Sequence, residues 1–153
     1  MGWTAVTGMI EPGAVVLSAV LYLWQFPHFN ALNWLYREEY VKAGYKMMCT
    51  ENATLFRWTT VIHGLAMVPL CFIFGPTLTN GGLIFSIDSL VLNLFFAHLS
   101  VRFAFKPKEY NARSLFIFTL CFHCVTIGYI GLTEQQLGDI GLINPAIARY
   151  WID

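Results

Sequence analysis

Four apolar runs, each near the ~20 residues that an α-helix needs to cross a bilayer core, decide what this chain can fold into. They cover residues 13–36, 55–75, 82–105 and 112–133. Hydrocarbon offers no water to satisfy backbone groups, so a spanning segment must be a helix or part of a closed barrel. The runs are continuous rather than alternating, which selects helices. The expected fold is therefore all-α: a polytopic transmembrane bundle of about four spanning helices. Composition agrees. Only 12% of the residues are charged, against about a quarter in ordinary soluble domains. Nine basic and nine acidic residues give a formal charge of zero. No basic stripe is present to neutralise phosphates, which argues against a nucleic-acid partner.

The segments between the runs fix an expected topology. Residues 37–54 form a polar loop, 76–81 a short one containing Asn80 and Gly81, and 106–111 another. Arg37, Lys42, Lys46 and Arg57 fall in or beside the first loop, and Arg102, Lys106, Lys108 and Arg113 around the third. Eight of the nine basic residues thus share one face, with Arg149 alone in the tail. The positive-inside bias makes that face cytoplasmic, or the matrix side in a mitochondrion. No Lys or Arg precedes Arg37, so neither a secretory n-region nor an Arg-rich presequence is expected. Insertion through internal signals, or a missing N-terminal part, is expected instead. In the tail, Tyr150 and Trp151 suit a short interfacial helix.

Ionisable and amide groups inside a span are costly and mark functional candidates. The first run holds Trp24-Gln25-Phe26-Pro27-His28-Phe29-Asn30. At 100° per residue Gln25, His28, Phe29, Leu32 and Tyr36 share one face, with Asn33 beside it. Pro27 is expected to kink the helix. Such a face can line a cavity opening on the basic side, or form a polar seam between helices. The loop that follows pairs Glu38 and Glu39 among Arg37, Lys42 and Lys46, which suits a hard cation and phosphate; a solvated charge run is the plainer reading. His28, His63, His98 and His123 lie at intramembrane positions, compatible with a bis-histidine haem bundle or with interhelical hydrogen bonds. Asp88 is expected near the face away from the basic loops. Cys121 and Cys124 have metal-site spacing, but mid-helix packing explains them better. Asn52-Ala53-Thr54 matches a glycosylation acceptor and lies on the wrong face for one.

The stretch Trp24-Gln25-Phe26-Pro27-His28-Phe29-Asn30-Ala31-Leu32, followed by Tyr36-Arg37-Glu38-Glu39-Tyr40 and Ala43-Gly44-Tyr45-Lys46-Met47-Met48, resembles the UbiA-type intramembrane prenyltransferases. Within them it is most similar to the haem O synthases (protoheme IX farnesyltransferases), in their mitochondrial version. Met1-Gly2-Trp3-Thr4-Ala5 looks like an interior segment of that family. The resemblance implies a nine-helix fold around a central cavity in the mitochondrial inner membrane, with the basic loops on the matrix side. It implies transfer of farnesyl from farnesyl diphosphate to a vinyl group of haem b, on the route to haem A, with two polar loops binding Mg²⁺ and diphosphate. The Trp24–Met48 block matches the second loop, making the four spans helices six to nine. The chain has only three aspartates, Asp88, Asp139 and Asp153, and nothing like the family's first Asp-rich motif, so the N-terminal half of the fold is expected to be absent. Tyr36 and Tyr40 stand where related quinone prenyltransferases carry paired aspartates, a difference the haem O synthases share.

On that resemblance His28, Glu39 and Tyr40 are the catalytic candidates. Gln25, Phe29, Asn33, Tyr36, Arg37, Lys42 and Lys46 are candidates for substrate contact, and Glu38 with Glu39 for Mg²⁺. Haem b and farnesyl diphosphate are the implied substrates, with membrane lipid as solvent and a separate or missing N-terminal half as a further partner. Two other readings stay open: a non-catalytic truncated or accessory membrane subunit, and a small bis-histidine cytochrome.

Overall fold

A computed structural model describes residues 8, 10, 12–74 and 82–122. Among these, every regular element is helical. Helix α1 runs Pro12–Leu35, α2 Arg37–Lys42, α3 Met48–Glu51, α4 Ala53–Pro69 with a π-helical continuation Leu70–Phe74, and α5 Gly82–Phe105. A sixth helix, α6, covers 109–122. Three are long and apolar enough to cross a membrane, at Ala14–Leu35, Ala53–Phe74 and Ile87–Phe105. They coincide with the first three expected spans. The expected fourth, 112–133, is helical as far as 122. Its remainder, with His123, Cys124 and the tail, lies outside the described residues.

Local chemistry sets the helix ends. Pro12 opens α1, where its missing N–H costs nothing and its fixed φ suits the first turn. The helix then continues unbroken through the buried Pro27. Asn52 caps α4: its side-chain oxygen accepts the Leu55 N–H at 2.9 Å, which satisfies one of the first-turn donors. That contact gives Asn52 a structural use. Short α2 ends in a Schellman motif. Gly44 takes φ +81°, its N–H bonds the Val41 carbonyl at 3.0 Å, and the Tyr45 N–H reaches back to the Tyr40 carbonyl at 2.9 Å. The apolar contact that accompanies such a cap is supplied by Tyr40 and Tyr45, whose rings meet edge-on at 6.2 Å. At the far end of α4, Pro69 cannot donate to the preceding turn, and the helix widens into the π-turn at Leu70–Phe74.

Helices α1, α4, α5 and α6 pack in a ring of neighbours. Phe26 of α1 stacks on His63 of α4 at 3.9 Å. Gly64 of α4 lies so close to α5 that a Cβ there would stand 2.6 Å from Ser100 Cβ. Phe96 of α5 stacks on Phe122 of α6 at 5.6 Å. Trp24 of α1 closes the ring by donating its indole N–H to the Thr119 carbonyl of α6 at 3.0 Å. At one end Trp34, Phe56 and Phe103 meet with ring centroids 5.6–6.3 Å apart. These come from the end of α1, the start of α4 and the end of α5, so the helices alternate in direction and the basic segments gather at that end.

Among the described residues the outside carries many large apolar side chains. Tyr22, Phe29, Trp58, Ile62, Val91 and Leu94 are all exposed, while Met67, Phe96, Phe103 and Leu115 are fully buried. Lipid tails do not penalise such a surface, so van der Waals packing and a few polar contacts must hold the helices together. Asn30 supplies one such contact, donating from α1 to the Thr60 hydroxyl of α4 at 2.8 Å and to that of Thr59 at 3.2 Å.

Candidate functional site

The basic end of the bundle carries the polar chemistry. Where α1 gives way to α2, Arg37 bends back so that its guanidinium lies 4.7 Å over the Trp34 ring. It donates to the Trp34 carbonyl at 2.8 Å and pairs with Glu38 at 3.5 Å. The short α2 puts Arg37, Glu38, Val41 and Lys42 on one side, and Thr50 from α3 faces them. Together they line an open depression of about 370 Å³. Sequence reasoning named Arg37, Glu38 and Lys42. Thr50 was missed, because only the fold of residues 43–52 brings it alongside α2. Glu39 and Lys46 are exposed and do not line the depression. Tyr40 is half-buried against Tyr45.

The donor set has a definite chemical character. One carboxylate and one hydroxyl flanked by two cations fit a hard cation that keeps most of its water and takes further oxygens from a phosphate ligand. Among the described residues no group of three or more His, Cys, Asp or Glu side chains comes together, so a fully protein-ligated metal is not built there. Arg37 offers a planar fork and Lys42 a point charge, the two complementary ways of holding phosphate oxygens. Beneath this loop Cys49 is half-buried, its thiol 3.8 Å from the Asn33 carbonyl. Burial pushes the Cys49 thiol above its ordinary value, against the opposing pull of its own backbone N–H and of Arg37.

The stripe expected on α1 is divided by the packing. Phe29 and Tyr36 are exposed on one side of the helix, two turns apart. Gln25 and Asn33 are half-buried. His28 stands at the edge of the stripe, and α6 packs against that edge. Its ring is sandwiched between Trp24, at 4.6 Å and 16°, and Phe116, at 4.8 Å and 20°. Its Nδ1 lies 2.8 Å from the Thr119 hydroxyl. Trp24 opens the stretch singled out in the sequence but was given no role there, and Thr119 was not named; nothing in residues 24–28 announces a partner 91 positions away. His63 donates from Nδ1 to the Thr59 carbonyl of its own helix at 2.7 Å. His98 and Asp88 are exposed on α5. The rings of His28 and His63 are thus engaged in helix packing, which accounts for them without a bis-histidine haem.

An all-α intramembrane bundle whose basic end presents cations and a carboxylate beside aromatic side chains has a match among known families. Residues 1–122 match the model of the UbiA prenyltransferase family, and the chain belongs to that family. It is 40% identical over 145 residues to the human protein named "Protoheme IX farnesyltransferase, mitochondrial", covering 95% of this chain and 32% of that one. The like-named protein of Yarrowia lipolytica is 43% identical over 105 residues, covering 67% of this chain and 22% of the relative. "Protoheme IX farnesyltransferase" of Solibacter usitatus is 32% identical over 144 residues, covering 90% and 47%. The chain therefore spans between about a fifth and about a half of the length of these curated relatives. No solved structure gives a match.

Proposed function

We propose that this chain carries out part of the work of a protoheme IX farnesyltransferase, moving a farnesyl group from farnesyl diphosphate to a vinyl group of haem b. The observation that supports this most is the 40% identity to the human farnesyltransferase across 95% of the chain. The chemistry of the basic end is consistent with it. Ionisation of an allylic diphosphate leaves negative charge on the departing group, and catalysis consists largely of stabilising that charge with fixed cations. In this reading Arg37 and Lys42 hold the diphosphate in the depression, and Glu38, with Glu39 beside it, holds magnesium directly or through water. A bound magnesium ion would neutralise charge on the diphosphate as it leaves. Lys46 adds positive potential at the rim. Tyr36 and Phe29 present aromatic faces to the developing allylic cation, and the farnesyl tail lies along apolar surface. Gln25 and Asn33 contact substrate along α1, and Tyr40 assists the reaction at the start of the loop. His28 orients haem or takes part in proton transfer.

The acidic loop that the family resemblance implies for metal binding is not among these 153 residues. The reaction as proposed therefore draws on residues outside them, in the same or another chain. The proposed setting is the mitochondrial inner membrane, with the basic end on the matrix side, in keeping with the names of the eukaryotic relatives and the positive-inside bias.

Substitution in the native gene tests the proposal. Arg37→Ala and Lys42→Ala should each lower haem O formation in isolated membranes on the order of 100-fold, as loss of one charge-stabilising donor does elsewhere. Wild-type haem O levels in both variants would contradict the reading.

A further inference from the structure

The turn between α5 and α6 carries a charge excess that the proposed diphosphate site leaves unused. Residues 102–113 hold Arg102, Lys106, Lys108 and Arg113 against a single carboxylate, Glu109. Residues 37–57, by contrast, set Glu38, Glu39 and Glu51 against Arg37, Lys42, Lys46 and Arg57. Within the turn Glu109 is taken up by Arg113 at 2.6 Å. Arg102, Lys106 and Lys108 are exposed, and among the described residues none of them pairs with an acid. Like charges gathered in this way attract an anion.

The turn is held in one shape. Buried Asn111 donates its side-chain amide to the Lys106 carbonyl at 2.7 Å, and the Lys108 N–H reaches the same carbonyl at 2.8 Å across Pro107. Its depth is also set. The spanning part of α5 ends at Phe105, so Lys106 and Lys108 stand at headgroup level. Arg102, one turn deeper, leans toward α6, with its guanidinium 6.0 Å from the centre of the Tyr110 ring. Phe105 and Tyr110 are exposed beside these cations, as aromatic rings are at a bilayer interface. Toward the bilayer centre Val91, Leu94 and Phe95 expose apolar surface on α5. A soluble phosphate would use the cations alone. A phospholipid uses the cations, the interfacial rings and the apolar surface beneath them.

We propose that the α5–α6 turn binds the headgroup of an anionic phospholipid, with Arg102, Lys106 and Lys108 on its phosphate oxygens and the acyl chains along α5. The site is separate from the depression beside α2 and does not depend on the function proposed above.

Native mass spectrometry of the full chain, released from micelles containing phosphatidylglycerol or phosphatidylcholine with the same acyl chains, measures the lipid retained. Phosphatidylglycerol should be held about tenfold more tightly or better; equal retention of the two would overturn the proposal. Lys106→Gln combined with Lys108→Gln should weaken phosphatidylglycerol about 25-fold, the loss expected for two basic residues at a membrane surface, and leave phosphatidylcholine unchanged. Lys46→Gln combined with Arg57→Gln removes the same charge from the other basic segment and should leave retention where it was. An equal loss in that variant would mean a general effect of charge and would overturn the site. Inorganic diphosphate added at millimolar concentration should leave the lipid bound. Complete displacement would mean that the turn reads free phosphate rather than lipid, which also contradicts the proposal. If the lysine variant does not fold, the comparison of the two lipids on the unaltered chain still decides the matter.

Discussion

Among the described residues, those that grip a neighbouring helix differ from those that present charge at the basic end or shape the loop, and substitutions should separate them. Asn30 is a gripping residue, with two interhelical bonds to Thr59 and Thr60. Both threonines also donate to their own helix, Thr59 to Leu55 and Thr60 to Phe56. Asn30→Leu therefore orphans no proton and should cost about 1 kcal/mol in a reversible detergent unfolding assay, in the range of interhelical bonds within membranes. Gly44 is different. At φ +81° a side chain is strained even in open space, so Gly44→Ala should cost about 1 kcal/mol and loosen the last turn of α2, seen as faster amide exchange at Tyr45. Cys49 has a pH signature. Because burial raises its pKa, alkylation should run slower than for a free cysteine near neutral pH and accelerate as pH climbs through the raised value. The folded state holds that proton more tightly than the unfolded chain. Its contribution to stability is therefore complete below the unfolded pKa and declines above it. Much at this scale was hidden in the sequence. Arg37, Glu38 and Lys42 could be given a role because unlike charges clustered beside a span; Thr50, Trp24 and Thr119 could not, since each gains its meaning from a residue on another element.

At the scale of elements, the spans were legible and the loop was not. Continuous apolar runs bounded by Pro, Gly and Asn leave a membrane helix little freedom to start or stop elsewhere, so the first three spans fell within a few residues of their expected ends. Residues 37–54 instead hold two short helices, whose formation depends on the cap at Gly44 and on packing under α1 rather than on any sustained periodicity. The π-turn after Pro69 was equally invisible, because a missing N–H does not say how the next turn will compensate. Small-residue contacts between helices were not anticipated either, and Gly64 against Ser100 gives the sharpest test. Gly64→Ala places a methyl group 2.6 Å from Ser100 Cβ and 2.7 Å from its Oγ, which should cost about 1–3 kcal/mol through overpacking. Ser100→Gly in the same chain removes both atoms and should recover most of that loss. A double-mutant cycle in the unfolding assay checks it, and additive losses would mean that α4 and α5 are not in this register.

For the whole molecule, the apolar exterior and the collection of cations at one end describe an object that sits across a bilayer and works at one surface. The ring of α1, α4, α5 and α6 is held by aromatic stacking and a few hydrogen bonds rather than by expulsion of water. In the proposed function its basic end is where the diphosphate of the substrate meets the protein while the isoprenoid tail stays in lipid. Membership of the UbiA prenyltransferase family gives that arrangement its chemical context. The most direct test is the haem inventory of membranes from cells with the native gene intact and with it deleted, separated by chromatography and identified by mass. Loss of haem O, with haem b retained, is the predicted result of deletion. Unchanged haem O in the deleted cells would contradict the proposed function.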